Sequence, residues 1–163
     1  MTGLVAPAPT ADADAAAVVA DGWFPPVPLA SIRDTLRLGD GAVTTSRLVA
    51  ATEGAILTCL RLLSDWRSGH AANGVESLAA VTDQQVNQVN MADLLWLRAV
   101  RYFAAAELAD GHRDLAATQE GSDRAEAKDQ TADHYRRIAN HAVADLLSIG
   151  AEERAPRNRV SLV

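Results

Sequence analysis

The chain has 163 residues, enough for one domain that buries about 68–70% of its unfolded surface and so builds a real core. Its formal charge of −6 has the wrong sign for a protein whose main ligand is DNA or RNA, because such proteins gather basic residues to displace counterions from phosphates. A single cysteine excludes an internal disulfide, and an apolar content of 48% with only 4% aromatics suits close helix–helix contact better than a thick sheet core.

Residues 1–22 are small residues with two prolines and three negative charges. They offer too little apolar surface to offset ordering entropy, and the N-terminus lacks the basic region and apolar run of a signal peptide. The Trp23-Phe24-Pro25-Pro26 run breaks this pattern. Two large rings beside two prolines read as an extended anchor, docked either on the chain's own core or on a neighbouring subunit. Together these make residues 1–27 an N-terminal arm.

A short helical pattern begins at Pro28, with Leu29, Ile32 and Leu36 on one face, and Gly39-Asp40-Gly41 turns the chain. The spacing predicts a first long helix over 45–67. Thr44, Thr45 or Ser46 would cap it, its stripe would be Leu48, Thr52, Ala55, Cys59, Leu62 and Trp66, and Gly69 would stop it. Residues 68–90 have no clear period. A structureless loop of that length is unusual in a compact domain, so the segment is expected to be a functional surface loop or to hide a short helix around 83–89. A second long helix is predicted over 91–110. Leu94, Leu95, Trp96, Leu97, Val100, Phe103 and Leu108 make it apolar around most of its circumference, as a central or shared helix would be, and Gly111 ends it. Ala104-Ala105-Ala106 would let another backbone come close. A polar stretch over 111–123 leads to a third long helix over 123–148, with a stripe of Thr131, Tyr135, Ile138, Ala142, Leu146 and Ile149 and with Gly150 as its C-terminal glycine.

The residues read as an all-α protein: a small helical bundle of three long helices plus one short N-terminal helix over 28–150, between extended arms at 1–27 and 151–163. The last segment carries Arg154, Arg157 and Arg159 and then an apolar tip including Val160 and Leu162. Guanidinium groups there could pair with a partner's carboxylates while the tip fills a groove. No stretch has the roughly 18–20 apolar residues that cross a bilayer, so no membrane contact is expected.

No catalytic pattern stands out. His70, His112, His134 and His141 do not form a ligand pair, since the two that share a helix lie seven residues apart rather than four. Cys59 falls on an apolar stripe, as a core cysteine does. No phosphate-cradling, nucleophile-elbow or zinc-binding motif is present. The reading is of a non-enzyme without metal or cofactor.

The layout resembles the head completion/stabilisation family, gene product L, of temperate contractile-tailed phages. Landmarks in order carry the resemblance from Trp23 to Val163. They are Trp23-Phe24-Pro25, Ile32-Arg33, Leu36-Arg37-Leu38, Val43 to Arg47-Leu48, Leu78-Ala79-Ala80-Val81-Thr82, Arg98-Ala99-Val100, Ala104 to Leu108, and Arg157 to Arg159 followed by Val160-Ser161-Leu162. The resemblance implies a head–tail connector of the virion, assembled in the host cytoplasm. It would form a homo-oligomeric ring, commonly of twelve copies, beneath the portal protein, would close the DNA-filled head, and would offer tail terminator and neck proteins their attachment site. Packaged DNA would pass through the lumen without sequence-specific binding, which a net-acidic subunit suits. The expected portal or neighbour contacts are Trp23, Phe24, Arg154, Arg157, Arg159, Val160 and Leu162. The alternative is a small non-viral helical module for protein–protein interaction.

Overall fold

The computed structural model describes residues 16–36, 43–113 and 122–150. The fold is mostly helical, but its described elements differ from the predicted four helices: there are five α-helices, one 3-10 turn and two short strand pairs. Strand β1 (Ala17–Val18) pairs antiparallel with β2 (Val27–Pro28). Part of the predicted arm therefore belongs to the packed body, and Leu29 N–H bonding to Ala16 O at 3.1 Å extends this closure.

Helix α1 (Leu29–Leu36) buries Leu29 and Ile32 completely. Arg33 ties it to the next helix by donating to Val43 O at 3.1 Å and Thr45 Oγ1 at 3.3 Å. Helix α2 (Thr45–Leu62) starts at the predicted cap, Thr44. It buries Leu48, Ala51, Thr52, Ala55, Ile56 and Cys59, and the one polar member, Thr52, satisfies its hydroxyl on Leu48 O at 2.6 Å.

The predicted single helix over 45–67 is in fact two. It bends at Leu63 (φ −100°, ψ 1°), and α3 (Ser64–Ala72) follows. Backbone bonds Leu63 N–Cys59 O and Arg67 N–Leu63 O, 2.9 and 2.8 Å, carry the chain across the bend. The stripe steps from Cys59 to Leu63, which is fully buried, whereas Leu62 stands 42% exposed. Gly69 lies inside α3, and the stop comes at Asn73 and at Gly74, whose φ of +82° is one that glycine adopts without strain.

Residues 68–90 also differ from expectation. There is no helix at 83–89. A 3-10 turn (Leu78–Val81) precedes a two-stranded hairpin, β3 (Gln85–Val86) and β4 (Val89–Asn90).

Helix α4 (Met91–Arg113) runs through Gly111 instead of ending there, and α5 (Ser122–Leu147) completes the set. Helix α4 is central, packing most extensively on α5 and then on α2, with further contacts to α1 and the 3-10 turn. Its buried positions are Ala92, Trp96, Ala99, Val100, Ala104, Ala105, Ala106 and Leu108. On α5 the buried face is Ala132, Ala139, Ala142, Val143 and Leu146. That face is turned from the predicted stripe, and Thr131 is exposed. Small buried residues let the two helices come close, while the larger Tyr135 stays half-buried and meets Tyr102 of α4 at 5.8 Å between ring centres. Gly150 (φ +78°) closes the chain end of α5 as expected. No helix among the described residues is long and apolar enough to cross a membrane.

Candidate docking surfaces

The predicted anchor residues face inward. Trp23 and Phe24 keep 7% and 2% of their surface exposed. Phe24 stacks on Trp96 at 4.2 Å between ring centres, while Trp23 meets Phe24 and Trp66 edge-on at 4.8 and 6.0 Å. Each tryptophan uses its indole N–H to hold a non-helical piece of chain. Trp23 Nε1 donates to Val75 O at 3.0 Å, Trp66 Nε1 to Ile149 O at 3.2 Å, and Trp96 Nε1 to Pro25 O at 3.1 Å. Leu78 N–H returns a bond to Trp23 O at 2.9 Å. At the rim, Arg67 pairs with Asp21 at 2.7 Å and lies 5.7 Å over the Trp23 ring. Of the two placements open in the sequence, the rings occupy the chain's own core. What they bring to the surface is the position of Asp21, Gly22 and the 63%-exposed Val19.

The hairpin is a surface feature that the sequence reading missed. Val86 and Val89 face each other across it at 57% and 42% exposure. Asn87 and Gln88 turn the chain with φ of 50° and 63°, the left-handed pair that a two-residue hairpin turn requires. Its base is fixed. Asn90 Oδ1 caps α4 through Ala92 N–H at 2.9 Å, and Asn90 Nδ2 donates to Ala79 O and Thr82 O at 2.9 and 2.8 Å. The signal was present as valines flanking Asn-Gln, but two-residue strands are too short to show an alternation.

A groove of about 350 Å³ lies where α2, α4 and α5 meet. Ala55, Thr58, Phe103 and Ala106 line it, together with Glu107, Asp110 and Arg136. Arg136 bridges Asp110 and Asp133, the latter at 2.8 Å. Gly54 leaves the space in which the Glu107 carboxylate sits, since a Cβ there would strike it. Burial, with the Asp110 charge as a second cause, raises the Glu107 carboxyl above its ordinary range.

Cys59 is fully enclosed, and burial pushes its thiol up to about 12, so it is a packing residue at neutral pH. Among the described residues no three His, Cys, Asp or Glu side chains gather as a metal site would require. Arg154, Arg157, Arg159, Val160 and Leu162 lie outside the described residues.

Comparison with known families matches residues 18–154 to the family described as phage head completion protein (GPL). No curated protein and no solved structure matches the chain.

Proposed function

This chain belongs to the phage head completion protein family, and from that membership we propose that it docks as a homo-oligomeric ring beneath the portal, closes the DNA-filled head and provides the tail attachment site. The single observation that carries the reading is the family match across residues 18–154, which takes in all the described helices and both strand pairs except Ala17. Its work is docking, without catalysis, metal or cofactor.

The chemistry of the surfaces supports a division of labour. With Trp23 and Phe24 internal, the exposed apolar side chains left for partners include Val86, Val89 and Leu57. The hairpin is a knob on the 68–90 segment, fastened at its base by Asn90 and suited to a sister subunit or a neck protein. Residues 151–163 provide the portal-facing contacts, with Arg154, Arg157 and Arg159 reading carboxylates and Val160 and Leu162 filling an apolar recess. Trp23 and Phe24 contribute to the ring indirectly, by fixing where the preceding residues leave the body. The acidic balance of −6 leaves DNA free to slide past without being gripped.

Sedimentation of the full chain mixed with purified portal rings tests the reading. The expected result is that the chain moves with the portal. A chain that stays at its own mass beside intact portal rings contradicts it.

A further inference from the structure

We propose that the groove between α2, α4 and α5 is the resting place of this chain's own residues 151–163, held there before any partner takes them. The inference stands apart from the portal reading, because a free chain can dock its arm on itself whatever the arm later meets.

Charge is the first argument. Among the described residues at this end, Glu107, Asp110 and Asp133 face Arg136, and Arg47 rests its guanidinium against Gly111 one residue past Asp110. Three carboxylates thus meet two guanidinium groups, and Arg136 is already shared by two of the acids. Glu107, exposed at the rim of the groove, has no basic partner among the described residues. A guanidinium delivered from outside would complete the set with a charge-assisted hydrogen bond. The segment 151–163, AEERAPRNRVSLV, supplies three, of which Arg157 and Arg159 lie clear of its own Glu152 and Glu153.

Reach is the second. Gly150 lies fourteen residues past Arg136, about 21 Å at the helical rise. Gly150, with its φ of +78°, turns the chain out of α5, and Pro156 disfavours helix at the residue before it. Arg157 is seven residues beyond Gly150, at most about 24 Å of extended chain. An arm running back along α5 therefore brings Arg157 level with Arg136 and its acids.

The test uses the full-length chain with a nitroxide on Ser161→Cys, Cys59 being fully buried and closed to the label. The expected result is that the label at least halves the amide signals of Ala106, Glu107 and Asp110, and that Glu107→Lys with Asp110→Lys abolishes this. Reversing the arm as well, Arg157→Glu with Arg159→Glu, should restore it. A sample in which labelled chains carry no isotope and isotope-bearing chains carry no label separates self-docking from exchange between copies. Undiminished signals in the full-length chain, or broadening only in that mixed sample, would overturn the proposal. Loss of portal binding with the groove signals intact would instead count against the portal reading.

Discussion

Two regions of the bundle are held together by different means. At one, Trp23, Phe24, Trp66 and Trp96 form a chain of ring contacts, and three indole N–H groups fasten Val75, Ile149 and Pro25. At the other, the second half of α4 packs on α5 with alanines buried on both helices, Ala104 to Ala106 on one and Ala132 and Ala139 on the other, and charged groups at the margin. Irregular backbone has orphan carbonyls and few periodic contacts, so closing it requires side chains that combine large buried area with a directed donor. Two regular helices require only small residues to come close. The scarce aromatics lie where the chain is irregular and the plentiful alanines where it is regular. The cost of the second arrangement is a groove that alanines cannot fill.

The comparison breaks most sharply at Trp96. Trp96→Ala removes a fully buried ring, the stack on Phe24 and the bond to Pro25. A loss of about 3–5 kcal/mol is expected in urea unfolding, and a loss under about 1 kcal/mol would show that the aromatic cluster is peripheral. Ala104→Leu attacks the seam from the opposite side, by overfilling it. With Ala104 fully buried, about 1–3 kcal/mol of destabilisation is expected, read as a lower thermal midpoint. A neutral outcome would mean that the helices are not in close contact there. Trp23→Phe keeps most of the ring and deletes the donor to Val75 O, for an expected loss of about 1–2 kcal/mol. Amide exchange should quicken around Val75 while α4 stays protected.

The smallest effect sharpens the comparison through pH. Burial holds the Asp93 carboxyl above its ordinary value of 3.8. The folded state therefore keeps that proton more readily than the unfolded chain, and the wild type loses stability as pH rises from that value through the raised one. Asp93→Asn cannot titrate. Its unfolding midpoint relative to the wild type should be highest at neutral pH and should fall back as pH is lowered through the carboxylate range. A difference that does not change with pH would contradict this account of Asp93.

Much of this was legible in the sequence, for identifiable reasons. The long helices, the Thr44 cap and the Gly150 terminus follow from periodicity and end signals that act locally. The bend at Leu63 was not legible, because Leu62 and Leu63 are both leucine and only packing across the fold selects which one turns inward. Gly69 and Gly111 looked like stops, yet a helix tolerates a single interior glycine at a cost of about 1 kcal/mol. The role of Asn90 depends on partners at Ala79 and Thr82 that a linear reading cannot bring together. Trp23 and Phe24 were legible as an anchor. Where they anchor was left open, and geometry places them in the core. The groove was invisible because its residues come from three helices.

The central claim is that the body is a scaffold and the arm is what docks. Deleting residues 155–163 tests it most directly, with DNA retention and tail attachment scored in assembled heads and thermal unfolding measured on the purified chain. The account predicts a body that still unfolds cooperatively, at a midpoint lowered only by the loss of the self-docked arm, with heads that leak DNA and take no tails. Heads that keep their DNA and accept tails without those residues would contradict it.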